Sequence, residues 1–283
     1  MVVRLCAFAD EADKNLDGQI CALKENGIAL IELRNVNGKS VADFTDKEAI
    51  EVYQKLSQNG ISVWSVGSPL GKTDINGDYE QYVRSVHRIC QIANLLKSKY
   101  VRMFSFFNAY EQEEEVVRRL QKSVEIANTY GVTLCHENEK DIFGDTLARV
   151  QILKRKVQGM AHVYDPANYI QTGERAADTL SLVGDTFYFH VKDVIASTEE
   201  IVPAGYGDGA IGEILDRIDG EKVFSVEPHL RHFVGYDAID GSVMKNKFTF
   251  ASNREAFDCA VNSLKDLLVK KGFAEKEKGK WIK

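Results

Sequence analysis

The sequence predicts a single closed (β/α)8 barrel around a parallel eight-stranded sheet. Three observations predict it. Short β-branched runs alternate with longer amphipathic ones from end to end, eight such pairs fit into 283 residues, and no composition break marks a linker. An open doubly wound sheet would place a phosphate loop after its first strand, but "CAFADEADKNLDG" carries no GxGxxG there. The barrel domain is expected over 1–273, with a charged, frayed tail, "AEKEKGKWIK", over 274–283.

The elements follow in order. Val2 to Ala9 reads as a strand, and "LDGQICALKENG" as a helix with Gly27 where a C-terminal stop belongs. Ala29 to Leu33 is a strand, followed by a helix near 45–58 in which Thr45 caps and Glu48 completes the capping box. Ile61 to Val66 precedes a helix near 79–96, and Tyr100 to Phe104 one near 111–130. Val132 to Glu137 leads to a helix over 145–157 capped by Asp145 or Thr146. Met160 to Tyr164 and Phe187 to Val191 are strands separated by a helix near 175–183. A glycine-rich loop, a short helix near 211–218, a strand over 222–226 and a helix near 254–271 complete the chain.

Composition bounds the function. The chain is 44% apolar and 28% charged with four prolines, and its formal charge of −6 argues against nucleic acid as the main partner. Five cysteines without a CxxC imply neither a disulfide framework nor a zinc knuckle. The first residues lack the apolar core and cleavage site of a signal peptide, and no apolar run approaches the ~18 residues of a membrane span. The cytoplasm is the expected compartment, and no membrane partner is expected.

In such a barrel, chemistry sits at the carboxyl ends of the strands. The last polar residues of strands five to eight are Glu137 in "LCHE", Asp165 in "HVYDPAN", His190 in "FYFHVKD" and Glu227 in "FSVEPHL". Their separations of 28, 25 and 37 residues are each about one βα unit, so four successive strands present one ligand at one height. Three carboxylates and an imidazole converging on a point repel and titrate abnormally unless a cation lies between them. Oxygen-rich ligation with one histidine suits Mn2+, Mg2+ or Co2+ better than structural zinc, with Zn2+ a further candidate.

Other polar residues read less sharply. Alternation turns His136 away from the axis if Glu137 faces it, and puts Lys192 on the face of His190, where it is either a substrate contact or a surface lysine. Glu32 and Arg34 share a face at the end of strand two, as an inward ion pair or a substrate anchor. Asn168 and His229 lie just past ligands and are candidate substrate contacts, whereas Arg231 and His232 read as loop surface. Glu139 and Asp141 read as solvated loop acids. "SFF" at 105–107 and Trp64 either wall a pocket or pack the barrel, and "GYGDG" at 205–209 is either a flexible loop or an anion cradle.

With its Glu, Asp, His, Glu order, the chain resembles the xylose isomerase-like superfamily of sugar isomerases and epimerases. "FADE" at 8–11, "GIALIELR" at 27–34 and "DPAN" with "GE" at 165–174 resemble its sugar phosphate isomerase/epimerase branch. The resemblance implies that Glu137, Asp165, His190 and Glu227 hold one divalent ion and that Glu137 and Glu227 also serve as acid and base. It further implies a sugar, keto-sugar or sugar phosphate as substrate, with proton abstraction beside a metal-bound carbonyl through an ene-diolate. Barrels of this family often pair, so a homodimer is one expected assembly. The family's keto-sugar epimerases carry a histidine where this chain has Asn168.

Alternatives on the same scaffold are a lyase of inosose-dehydratase type and a non-catalytic carbohydrate-binding barrel. A nuclease like endonuclease IV needs a trinuclear zinc cluster with several more histidines. The chain has six, of which His87 falls in a predicted helix.

Overall fold

The computed structural model describes residues 1–239 and 244–283. Eight parallel strands close on themselves: β1 (Val2–Ala7), β2 (Leu30–Leu33), β3 (Ser62–Gly67), β4 (Tyr100–Met103), β5 (Thr133–Glu137), β6 (Ala161–Tyr164), β7 (Tyr188–Val191) and β8 (Glu221–Val226). Each pairs with its successor, and β8 pairs with β1 from Val2↔Glu221 to Ala7↔Val226, which makes the sheet a barrel. The predicted closed (β/α)8 barrel is the fold observed. Five long helices follow β1 to β5: α1 (Leu16–Glu25), α2 (Asp46–Gln58), α3 (Tyr79–Leu95), α4 (Glu113–Thr129) and α5 (Leu147–Lys156). After them come α6 (Pro166–Gln171), α7 (Ile211–Arg217) and α8 (Asn253–Lys270). No helix among the described residues is long and apolar enough to cross a membrane.

Sequence chemistry explains the element ends. Thr45 Oγ1 accepts from Glu48 N, and Glu48 accepts from Thr45 N at 2.7 Å, so α2 carries the predicted capping box, worth ~1 kcal/mol. The expected cap of α5 is absent. Neither Asp145 nor Thr146 accepts from a backbone N–H of its first turn; Glu174, from the loop after α6, accepts from Leu147 N at 2.9 Å instead. The helix expected near 175–183 is one turn, Ala176–Thr179, running into a 3-10 helix over Leu180–Asp185.

The expected frayed tail is a hairpin. Ala274–Glu277 pairs with Lys280–Ile282, which runs antiparallel to the amino half of β1, where β2 pairs only with Cys6 and Ala7. The physical reason is Trp281. Its indole is buried in the main core between outward-facing charges, so one apolar anchor outweighs a charged composition.

Inward-facing residues stack in layers. Cys6, Leu30, Cys135, Val163, Tyr188 and Val223 form one apolar layer, with Trp64, Tyr100 and Phe187 packed at its amino-terminal side. Trp64 stacks on Phe187 at a 6.0 Å centroid distance, so it plugs the end opposite the strand carboxyl ends and walls no pocket there. Phe106 packs against Tyr82 beneath the helices. On the outer face, His136 Nε2 lies 2.9 Å from Ser105 Oγ, and its ring neighbours that of His162.

His162 supplies a test of core electrostatics. Its Nδ1 has no hydrogen-bond partner, and burial, aided by Lys154, lowers its pKa to about 4. The unfolded chain binds this proton from about pH 6.5 downward and the folded one only near 4, so stability falls through that window as pH drops. The full penalty is on the order of 3 kcal/mol. Replacing His162→Gln should flatten the fall in melting temperature between pH 6.5 and 4.5. An unchanged slope would show that other groups control acid unfolding.

Candidate metal centre and active site

Strand alternation carries the apolar layer into a polar one. Two residues beyond Cys135, Val163 and Tyr188 stand Glu137, Asp165 and His190, and four beyond Val223 stands Glu227. One ligand atom from each of these four lies within 4.8 Å of those from the others, and all four side chains are buried. The four residues spaced one βα unit apart therefore meet.

Each ligand has a partner that fixes its orientation. His190 directs Nδ1 at Glu137 Oε1, 2.9 Å away, and Glu227 Oε2, 3.6 Å away. Its Nε2 lies 3.1 Å from Glu32 Oε2, while Tyr188 Oη donates to Glu32 Oε1 at 2.8 Å. Glu32 is thus turned to the far side of the imidazole, away from a substrate. It completes the carboxylate–histidine pairing common around metal-ligating histidines. Arg34 Nη1 donates to Glu227 Oε1 at 2.8 Å, and its other nitrogens hold Asp10 and Glu11. Its guanidinium lies between the rings of Phe8 and Phe233. Of the two sequence readings, the inward ion pair is realised, but with Asp10 and Glu11 just after β1 and Glu227 just after β8, and not with Glu32.

Asn168 has the same character. Its backbone N–H donates to Asp165 Oδ1 at 3.0 Å and its Nδ2 lies 3.3 Å from Glu137 Oε1, so it braces two ligands. His229 adopts a left-handed backbone, φ +46°, and its N–H donates to Glu11 Oε2 at 2.7 Å. Its Nε2 lies 3.6 Å from Glu227 Oε1. Lys192 stands inside the cluster, Nζ 3.1 Å from Asp165 Oδ2 and 3.5 Å from Glu227 Oε2. Sequence reasoning missed Asp10, Glu11, Arg102 and Asn138. Arg102 Nε lies 3.3 Å from Glu137 Oε2, and the Asn138 amide bonds both backbone polar groups of Asp165. A count by twos along β4 or a closer reading of "FADE" could have raised the first three.

The loops differ from expectation. Glu139 is a rim residue, 3.1 Å from Lys72 Nζ, and not a solvated acid; Asp141 is exposed as expected, as are Arg231 and His232. "GYGDG" does form an anion cradle, but its anion is internal. The amides of Gly205, Gly207 and Gly209 donate to the buried Asp193 carboxylate at 2.9–3.1 Å, and Val194 N adds a fourth bond at 3.0 Å. A side chain at Gly207 would come within 2.5 Å of Asp193 Oδ1, so glycine is required there.

The electrostatics suit a cation. Burial pushes Asp165 up to about 6; Lys192 opposes this, while Glu227 and Glu137 add to it. The buried Asp165 Oδ2 has Lys192 Nζ 3.1 Å away. Burial would raise Glu227 too, but Lys192, His229, His190 and Arg34 hold it well below the usual carboxylate range. Burial would lower His190, yet Glu137 and Glu32 hold it well above the usual imidazole value. An imidazole charged only by surrounding acids, within a buried cluster of three carboxylates, fits a place where a divalent ion can replace the proton.

Solved structures share the architecture. The chain superposes on L-ribulose 3-epimerase with a TM-score of 0.73 at 16% identity, covering 95% of each chain. It matches the IolI protein with a bound zinc atom at 0.71 and 17%, covering 95% of this chain and 99% of that one. The probable 3-DHS dehydratase AsbF from Bacillus anthracis gives 0.69 and 17%, covering 94% and 99%. No protein of curated function matches the sequence significantly. Residues 20–247 match the family described as xylose isomerase-like TIM barrel, and with that match spanning most of the barrel the chain belongs to this family.

Proposed function

We propose that the protein is a divalent-metal-dependent isomerase or epimerase of a small sugar or keto-sugar. The observation that carries this reading is the convergence of Glu137, Asp165, His190 and Glu227 in a buried cluster at the carboxyl end of the barrel. A divalent ion bound there supplies Lewis-acid polarisation of a carbonyl and its neighbouring hydroxyl, which acidifies the C–H between them. Mn2+, Mg2+ or Co2+ suits the oxygen-rich set, and the zinc in IolI keeps Zn2+ among the candidates.

The chain's own residues move the protons. One of Glu137 and Glu227 takes the proton from carbon as a carboxylate, and the other, protonated, returns one to the opposite face or the adjacent carbon. Arg102 and Arg34 each hold one of these two carboxylates in place. Lys192 is the group best placed to donate to a substrate oxygen, and Asn168 and Glu32 hold ligands in place. The fold's kinship with a dehydratase and the Lys192 ammonium together favour one second reading, a lyase in which Lys192 protonates a departing hydroxyl. A lyase loses the mass of water, whereas an isomerase conserves mass.

Two measurements test this account. Metal-loaded protein incubated with a ketose panel in D2O should place deuterium on the carbon beside the carbonyl. At saturating metal, Glu137→Gln or Glu227→Gln should slow this by roughly 10²–10⁴. A folded, metal-loaded wild type that exchanges nothing would overturn the proposal for that panel. Separately, Glu32→Gln should weaken metal binding by roughly 10–100-fold in calorimetric titration, because the His190 ring loses its charged acceptor. Unchanged affinity would remove Glu32 from the metal centre.

A further inference from the structure

A protein holds a phosphate group with charged side chains or with a cradle of backbone amides. Both devices exist at this mouth, and the chain's own carboxylates fill both. Arg34 is held by Asp10, Glu11 and Glu227, and Arg102 stands against Glu137. Lys192 stands between Asp165 and Glu227, and Lys72 pairs with Glu139. Farther out, Lys245 pairs with Glu199, which also lies in the field of Lys140. The amide cradle of the loop after β7 closes on Asp193, whose carboxylate takes the amides of Gly205, Gly207 and Gly209.

The balance of charge points the same way. Asp10, Glu11, Glu32, Glu137, Glu139, Asp165 and Glu227 face Arg34, Arg102, Lys72 and Lys192, and a divalent ion narrows that excess of acid without reversing it. A phosphate dianion reaching the inner carboxylates would have to enter this field and strip Arg34, Arg102 or Lys192 from a buried carboxylate. Hydroxyl groups face no such obstacle, because they donate to carboxylates that can only accept.

We infer that the substrate is an uncharged polyhydroxy ketone and that the site's own carboxylates exclude its phosphate ester. This rests on the isomerase or epimerase reading and narrows its substrate class. Glu139 is the residue through which the exclusion is most simply tested, since its pairing with Lys72 lies at the rim and touches no ligand of the metal centre directly in the hydrogen-bond network.

The experiment uses metal-loaded full chain and matched pairs, each a ketose and its terminal phosphate ester, with deuterium incorporation from D2O followed by NMR. The expected result is a kcat/KM for exchange at least about tenfold higher for the free ketose in every active pair. Inorganic phosphate should not inhibit at concentrations that leave the metal bound. Glu139→Gln, which removes the carboxylate paired with Lys72, should narrow the ratio between ketose and ester. Equal or faster exchange of the phosphate esters would overturn this inference and leave the isomerase reading standing. Exchange of neither member of any pair would overturn the isomerase reading, and the inference with it.

Discussion

Bringing Glu137, Asp165 and Glu227 within 4.8 Å of one another in a buried layer is electrostatically unfavourable, and much of the surrounding structure answers that repulsion. At an effective dielectric of about 20, each such pair of charges repels by roughly 3–4 kcal/mol. Arg34, Arg102, Lys192 and His190 offset it by standing within ion-pair distance of the three carboxylates. These cations are themselves buried, so each needs its own acids and aromatic faces. Asp10 and Glu11 hold Arg34, Glu32 holds His190, and the Phe8 ring lies beneath both guanidinium groups. The polar layer is therefore one connected network drawn from β2, β4, β5 and β7 and from the segments that follow β1, β2, β6, β7 and β8.

That network depends on barrel closure. Glu32 and His190 are 158 residues apart, Arg34 and Glu227 193 apart, yet each pair makes direct contact inside the ring. Below it, the aromatic plug around Trp64 and Tyr188 seals the amino-terminal end, and Tyr188 links plug to network through its hydroxyl on Glu32. Above it, the loops after β7 and β8 are tied together. Ile201 N donates to Lys245 O, and Asn246 donates to His229 O beside the metal centre.

The legible part of this design was local or periodic. Alternating βα runs revealed the barrel, and four strand-end residues at unit spacing revealed the buried carboxylate–histidine cluster because parallel strands put equal positions at equal height. The illegible part was relational. Glu32 read as an ion pair with Arg34 or a substrate anchor because its histidine partner lies across the ring, and the role of Asp193 was hidden because the glycine amides it binds follow twelve to sixteen residues later. Asn138 sat one residue from a ligand, but alternation counts side-chain faces and not an amide that clamps the neighbouring strand. The terminal hairpin was hidden by its charges. A single buried Trp281 among exposed lysines and glutamates carries little weight in composition and much in packing.

The central claim is that Glu137, Asp165, His190 and Glu227 bind one divalent ion directly, with a single nitrogen ligand from His190 Nδ1. Pulsed electron paramagnetic resonance of the Mn2+-loaded protein tests it most directly, because a directly bound imidazole nitrogen modulates the electron spin echo. One tightly bound Mn2+ per chain with one directly coordinated nitrogen, lost in His190→Gln, is the predicted result. A bound Mn2+ without nitrogen coupling, or coupling that survives His190→Gln, would contradict the account.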